Sequence, residues 1–332
     1  ELIRMDALDA LFDDLYDHSP ADAPFWELVE RYGGGRGDDG LRALVLTLYD
    51  FSRSHPFPDD WLRASAAAFG TFRPEGGHPL MRQLMDDAAF ALEGALSELV
   101  EALDGCRRPG GPAVWADGIA AEAAAIERML AAARRGAWEE LSALAAADPF
   151  VRLKPAKGDD VDRELADRIR ALRERAKKRL NGLSGGPLAR PAAELAEEMR
   201  RMAPLMRELA ELVIRFGERY GGLKKAKRLI DFADLEHFAL RVLCAGTDED
   251  GRLLPTDAAL EYRAQYEEIL IDEFQDTNRV QEAILSLIAR PERGNRFMVG
   301  DVKQSIYRFR LADPAIFLDK YKTYRAGHAA AG

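Results

Sequence analysis

The sequence predicts a mostly helical protein with a small α/β part near its C-terminal end. Apolar residues recur at three-and-four spacing over long, Ala-rich stretches, which is typical of packed amphipathic helices. Two short apolar runs near the C-terminal end, ILI at Ile269–Ile271 and RFMV at Arg296–Val299, enclose one helical pattern. Glycine- and proline-rich stretches divide the rest of the chain into segments of helix length.

The clearest helix is predicted over Met81–Leu103, where one face is apolar and acids lie between the apolar positions. Similar patterns predict helices over Ala120–Leu144, Arg163–Leu180 and Ala192–Tyr220. The predicted loops cover residues 33–40, 54–60, 107–112 and 181–187.

The pattern of apolar and polar residues changes after about residue 225. Asp231 is a plausible N-cap of an apolar helix. A strand is predicted next at Ile269–Ile271, then a helix at Val280–Ala289 and a second strand at Arg296–Asp301. A further helix is predicted at Asp313–Tyr324, with Pro314 in its first turn. Strand, helix and strand within about 30 residues indicate a right-handed parallel βαβ unit. Continuous apolar strands are expected to be covered on both faces, so we expect further sheet strands to belong to the full protein.

Composition excludes several classes of protein. The 332 residues are 47% hydrophobic, which suits a globular chain of two domains. No apolar run approaches the about 20 residues of a membrane-spanning helix, and we expect no membrane partner. Two cysteines and five scattered histidines favour neither a disulfide framework nor a zinc site. A reducing cytoplasm is the expected compartment, and the absence of an initial methionine suggests a piece of a longer protein.

Charge is distributed unevenly along the chain. The net charge is −10, yet Arg163–Arg228 carries 18 Lys/Arg against 9 Asp/Glu. Within it, the predicted helix Arg168–Leu180 concentrates basic residues, among them Arg173, Lys177 and Lys178. One interpretation is contact with DNA phosphates. The other is a solvated helix face with ion pairs to the acidic remainder, and the sequence does not separate the two.

Acidic residues stand at the predicted strand ends. Asp272 and Glu273 follow the first strand, and Asp301 and Gln304 follow the second. Because ligands of open α/β sheets bind beyond the carboxyl ends of the strands, these residues are expected to share one crevice. A carboxylate there can hold Mg²⁺ with phosphate oxygens and waters, and a second can accept a proton from an attacking water. An Asp-Glu pair alone is more often the start of a polar loop, so the longer motif decides.

The strings DEFQDTN and VGDVKQSIYRFR, in this order, resemble motifs II and III of superfamily 1 DNA helicases of the UvrD/Rep type. Three flanking blocks resemble the A subunits of bacterial AddAB helicase–nucleases, namely LYDFSRSHPFPDDWL, KAKRLIDFADLEHFALRVL and GDVKQSIYRFRLADPAIF. The resemblance implies a helical 1B insertion domain over residues 1–225. It implies a partial RecA-like P-loop NTPase domain, 1A, with two parallel strands over residues 226–332.

The resemblance also implies roles for individual residues. Asp272 would hold Mg²⁺, Glu273 would activate the hydrolytic water, and Gln304 would sense the γ-phosphate of ATP. A single-strand channel would be lined by Tyr307, Phe309 and Arg310, with Phe309 in place of the family's usual tryptophan. Ordinary core packing is the alternative for the two aromatic residues.

The resemblance implies an ATP-dependent 3′–5′ helicase and exonuclease of double-strand-break repair. Its partners would be single-stranded DNA, the duplex ahead of the fork and an AddB-type subunit in a heterodimer. The sequence has no G-x-x-x-x-G-K-[ST] motif, so we expect this chain alone to be inactive as an ATPase. The alternatives are a non-catalytic module that docks DNA or a partner, and an ordinary UvrD/Rep helicase without a nuclease.

Overall fold

The computed structural model describes residues 1–35, 37–73, 77–156, 161–291, 294–304, 311–313 and 315–321. It is mostly helical with few strands, as predicted. Its helices are α1 (Leu2–His18), α2 (Pro24–Tyr32), α3 (Asp39–Ser52), α4 (Pro58–Gly70), α5 (Pro79–Arg107), α6 (Ala116–Arg134), α7 (Trp138–Ala146), α8 (Arg163–Ser184), α9 (Ala192–Lys227), α10 (Phe232–Leu243), α11 (Asp257–Gln265) and α12 (Arg279–Ile288). Its strands are β1 (Cys244–Thr247), β2 (Leu253–Pro255), β3 (Ile269–Ile271) and β4 (Arg296–Met298), and residues 315–321 are also helical.

The chain forms two compact units, one of Glu1–Ala68 with Ala203–Gly332 and one of Phe69–Met202. These divisions differ from the boundary between residues 225 and 226, which the resemblance implied and at which the amino-acid pattern changes. The reason is that the first four helices pack with the C-terminal part of α9, far away in sequence. The assignment of these parts to helicase domains 1B and 1A remains a prediction.

The unit Phe69–Met202 is built around α5, which packs along α6 and α8. Its buried face repeats the predicted spacing, with Met85, Leu92 and Leu99 among the buried residues. The predicted single helix over Ala120–Leu144 is wrong, because α6 ends and α7 begins around Gly136. Gly136 has φ +70°, and the N–H of the next residue bonds back to the Ala132 carbonyl at 3.0 Å, which closes the helix end.

The other unit contains two apolar clusters. One cluster contains residues of the four helices α1, α2, α3 and α4 and of the C-terminal part of α9. Its largest fully buried side chains include Phe12, Phe25 and Phe216. The other joins α10, α11 and α12 through residues such as Leu240, Ala259 and Leu287. Asp231 caps α10, as predicted, because its carboxylate accepts a hydrogen bond from the Asp234 N–H at 2.9 Å.

Strands β3 and β4 pair in parallel, with Leu270 opposite Phe297 and α12 between them in the chain, so the predicted parallel strand–helix–strand order is confirmed. The sequence predicted cover on both faces, with part of it supplied by further strands of the full protein, and the described residues leave one face exposed. Leu270 is 70% exposed and Phe297 is 63% exposed, because the paired strands have no described layer over that face. The antiparallel hairpin of β1 and β2 was not predicted.

Candidate functional site

The carboxyl ends of β3 and β4 lie side by side. The Val299 N–H donates to the Ile271 carbonyl at 2.9 Å, and the Phe274 N–H donates to the Val299 carbonyl at 2.9 Å. These bonds continue the pairing by one step beyond the strands. The residues after β3 are therefore held against those after β4, which is the geometry that parallel strands predict.

One pocket opens at these strand ends. Asp272, Glu273 and Gln304 all line it. The remaining lining residues come from the end of β3, the turn after it, α12 and the turn after β4, and they are Ile271, Gln275, Asp276, Thr277, Gln281, Ile284, Leu285 and Lys303. The structure thus brings together the three residues to which the sequence gave nucleotide chemistry.

Asp272 and Glu273 are both exposed, so the apolar strand does not carry its acids into the interior. One oxygen of Asp272, Oδ1, accepts a hydrogen bond from the Glu273 N–H at 2.9 Å. Glu273 itself has φ +50° and ψ +42°, the left-handed conformation that non-glycine residues rarely adopt. Strained backbone of this kind persists where surrounding contacts hold it, and it is concentrated at functional sites.

Asp301 organises the residues after β4. Its Oδ1 accepts from the Lys303 N–H at 3.0 Å, and its Oδ2 accepts from the Gln304 Nε2 at 3.2 Å. The backbone hydrogen bond from Lys303, followed by the one from the Gln304 side chain, lowers the pKa of Asp301. A carboxylate that remains ionised therefore fixes the Gln304 amide beside the pocket.

Two pocket residues were missed by sequence reasoning, although both lie inside the motif DEFQDTN. Gln275 is buried, and it contacts both Glu273 and Asp301. Asp276 has a buried Oδ1 that finds no hydrogen-bond partner within the part of the chain that the structure describes. The only available signal was the polar character of the motif, which does not show which of its residues turn inward.

The start of α12 is fixed by a capping box. The Asn278 side chain accepts from the Gln281 N–H at 2.8 Å, and the Gln281 side chain accepts from the Asn278 N–H at 3.2 Å. Both side chains also donate to the Glu236 carboxylate of α10, at 3.3 Å from Asn278 Nδ2 and 2.7 Å from Gln281 Nε2. The turn that follows the acidic pair is thereby anchored to α10.

The predicted single-strand channel residues Tyr307, Phe309 and Arg310 lie outside the described residues. Their role therefore remains a prediction from the motif.

The basic helix α8 is largely engaged in ion pairs. Arg173 needs a correction as a DNA contact, because it is buried and its guanidinium forms a two-point pair with Glu122, also buried. Arg175 and Arg179 share Glu98 at 3.2 and 3.3 Å. These contacts favour the interpretation of α8 as a helix paired with acidic neighbours.

Lys177 and Lys178 are less engaged in ion pairs than the arginines of α8. Lys177 lies 3.8 Å from Asp148, whereas Lys178 is exposed and has no ion pair with any residue that the structure describes. Lys224 lies near the C-terminal end of the basic stretch Arg163–Arg228 and is buried. Its Nζ lies 2.7 Å from the Asp231 carboxylate and 2.6 Å from the Asp234 carboxylate. The sequence therefore overestimated how many of these cations face solvent.

Within the described ranges, no three His, Cys, Asp or Glu side chains form a cluster that could hold a metal by themselves. None of the described helices combines the length and the apolar composition that a transmembrane segment requires.

Comparisons with known proteins agree with the motifs at this site. The model of the UvrD/REP helicase N-terminal domain matches residues 163–325. The A subunit of the ATP-dependent helicase/nuclease of Desulforudis audaxviator is 44% identical over 335 residues, which cover 100% of this chain and 27% of the relative. The protein of the same name from Bacillus licheniformis is 42% identical over 328 residues, covering 98% of this chain and 26% of the relative. The chain spans about a quarter of the length of the curated relatives that it matches.

Proposed function

Because this chain belongs to the family of ATP-dependent helicase/nuclease A subunits, which are of the UvrD/Rep type, we propose that it supplies half of the nucleotide site of an ATP-driven DNA motor. The observation that carries the proposal is that Asp272, Glu273 and Gln304 line one pocket at the ends of β3 and β4. A strand-end acid pair, with a glutamine from the turn after the neighbouring strand in the same pocket, supplies a metal ligand, a proton acceptor and a donor toward phosphate.

The donor set of the pocket fits Mg²⁺. This ion is usually held by one or two carboxylates, with the remaining positions filled by phosphate oxygens and waters. Asp272 has one oxygen occupied by the Glu273 N–H, which leaves Oδ2 for a cation. Asp272 would hold the ion, which would neutralise charge on the phosphates of bound ATP.

Glu273 is proposed as the general base. It is exposed at the pocket, and its carboxylate is held at one oxygen by the Gln275 amide at 2.6 Å, so the other oxygen is available for a water. Gln304, fixed by Asp301, would donate its amide to the terminal phosphate. Its contact would be lost when that phosphate leaves.

DNA is the proposed substrate of the whole protein, with 3′–5′ unwinding linked to nuclease activity in double-strand-break repair and with an AddB-type partner subunit. Tyr307, Phe309 and Arg310 are proposed to contact the single strand by stacking and charge. Lys177 and Lys178 are the remaining candidates on α8 for the duplex. The cytoplasm is the proposed compartment, and the chain alone is proposed to lack ATPase activity.

The test uses the full-length protein that carries this chain. Glu273→Gln should lower kcat for DNA-stimulated ATP hydrolysis at least about 100-fold, the usual effect of losing a general base. The matched control is Glu268→Gln, just before the amino end of β3 and outside the pocket lining, which should retain wild-type kcat. Equal activity of Glu273→Gln and wild type would refute the assignment of Glu273 as the general base. ATPase activity of the isolated chain that Glu273→Gln abolishes would instead refute the proposal that the chain alone is inactive.

A further inference from the structure

Gln275 is the most deeply buried polar side chain at the site, with 2% of its surface exposed. A buried amide is costly unless its donor and acceptor are both used. Here both are used, because Nε2 donates to the Glu273 Oε2 at 2.6 Å and Oε1 accepts from the Asp301 N–H at 3.0 Å. The reverse orientation of the amide would place oxygen against carboxylate and N–H against N–H, so only one orientation is compatible with the site.

These two bonds join the tips of the two strands. Glu273 follows β3, and Asp301 follows β4 and binds the Gln304 side chain. A continuous series of polar contacts therefore runs from Glu273 through Gln275 and Asp301 to Gln304. It connects the proposed general base with the proposed phosphate contact through a side chain that itself does not reach solvent.

Gly300 provides independent support for this link. A Cβ added at Gly300 would overlap the Gln275 Oε1 and would lie 3.1 Å from Phe317 Cε2. Gly300 does not have a positive φ, so the glycine is required by space and not by backbone conformation. The absent side chain is what lets the Gln275 oxygen reach the backbone after β4.

Glu273 gives a reason for the link to matter. Its left-handed backbone is costly for a residue with a Cβ, and it is held on one side by the short bond from Gln275. Loss of that bond would free the carboxylate to take other orientations. A general base needs a fixed orientation relative to its water, because small misplacements reduce rate strongly.

We propose that Gln275 is a positioning residue that holds Glu273 in its working orientation and couples it to Gln304 through Asp301. This inference rests on the proposed function. Gln275 does not touch nucleotide in this role, so its loss should change kcat and leave the KM for ATP nearly unchanged.

The test again uses the full-length protein and its DNA-stimulated ATPase. Gln275→Leu preserves side-chain size and removes both hydrogen bonds, and it should lower kcat about tenfold to hundredfold, the range expected for one hydrogen bond to a charged group. Gly300→Ala, which displaces the Gln275 oxygen, should lower kcat in the same direction. Phe274→Leu is the matched control for simple destabilisation, because Phe274 is a buried apolar neighbour in the same turn. It should lower Tm without lowering kcat at temperatures well below Tm.

The split between kcat and KM is the readout that a purely structural role would not move in this way, because general loosening of the site would weaken ATP binding as well. A rise in the KM for ATP in proportion to the loss of kcat would overturn the proposal.

The outcomes separate the inference from its premise. If Glu273→Gln abolishes hydrolysis while Gln275→Leu keeps wild-type kcat and only lowers Tm, the positioning role is wrong and the nucleotide site stands. If Glu273→Gln remains active, the nucleotide site itself is wrong, and the positioning role is lost with it. If Gln275→Leu lowers kcat at constant KM and Phe274→Leu keeps the wild-type kcat, the result supports the nucleotide site and the positioning role of Gln275.

Discussion

Replacing Glu122 by Gln should lower the free energy of unfolding of the unit Phe69–Met202 by about 3–5 kcal/mol. Glu122 is 1% exposed and Arg173 is 7% exposed. Arg173 Nε lies 2.8 Å from Glu122 Oε2, and Nη2 lies 2.6 Å from Oε1. Glu122→Gln leaves the buried guanidinium with only the exposed Glu174 carboxylate, at 3.9 Å, as a counter-charge, which is the costly way to disrupt such a pair.

The magnitude follows from the contacts that the variant loses. The carboxylate accepts from two charged donor groups of Arg173 and from the Val151 N–H at 3.3 Å. A glutamine offers one neutral oxygen for all three, so at least one charged hydrogen bond of about 1.5–3 kcal/mol is lost along with the charge compensation. Arg173→Met alone should cost a similar amount, because it leaves the carboxylate buried and unpaired.

The double variant distinguishes a paired charge from two independent packing residues. Glu122→Leu with Arg173→Met replaces the pair by apolar side chains of similar volume, so it should cost clearly less than the two single changes added together. Trp115 and Trp138 lie in this unit, so urea unfolding followed by their fluorescence reports on it in a Trp26→Phe, Trp61→Phe background.

Glu127→Gln is the control, since Glu127 is exposed on the same helix α6, and it should change stability by no more than about 0.5 kcal/mol. A loss below about 1 kcal/mol for Glu122→Gln, or strict additivity in the double variant, would refute the reasoning.

Two further predictions concern pH and DNA. Burial, together with the charge of Arg279, lowers the pKa of His55 to about 4, so the unfolded chain binds more protons than the folded one between about pH 4 and 6.5. The contribution of His55 to the free energy of unfolding should therefore be fully present above about pH 6.5 and should be lost toward pH 4. Over this range the Tm of His55→Phe should decrease less than the Tm of wild type. The control is His18→Phe, a change at an exposed histidine, whose Tm should decrease as much as that of wild type. On α8, Lys178→Ala should reduce the slope of log affinity against log salt for duplex DNA by about one, whereas Arg175→Ala, paired with Glu98, should change it less. Equal slopes for Lys178→Ala and wild type would contradict contact of Lys178 with the duplex and would favour the interpretation of α8 as a solvated helix face.

The local patterns of the sequence predicted the elements that depend on near neighbours. The spacing on α5 gave its buried face, and Asp231 gave the start of α10, because caps and helix faces are set within a few residues. The hairpin of β1 and β2 was missed because CAGT and LLP lack the alternation of a typical strand and contain a single β-branched residue, Thr247. The break at Gly136 was missed because the apolar spacing continues across it.

The errors about charge have a different cause. Arg173 was counted among phosphate contacts because its neighbours in sequence are cations, but its partner Glu122 lies 51 positions away. Lys224 belongs to the same basic stretch, Arg163–Arg228, and its partners come from the start of α10. Helix periodicity shows which residues share a face, but it does not show which opposite charges the fold brings to that face.

At the pocket beyond the ends of β3 and β4, the location and the internal contacts must also be distinguished. Location follows from a general rule, because the ends of adjacent parallel strands must lie together, and this placed Asp272, Glu273 and Gln304 in advance. The internal contacts depend on Gln275 turning inward, and this in turn requires that position 300 has no side chain. Gly300 and Gln275 are 25 residues apart in sequence and only make sense as a pair, since either one alone reads as an ordinary turn residue. A glycine at the tip of one strand and a buried amide at the tip of its neighbour are therefore best interpreted together, as the two halves of one contact that leaves the Gln275 amide able to donate to Glu273.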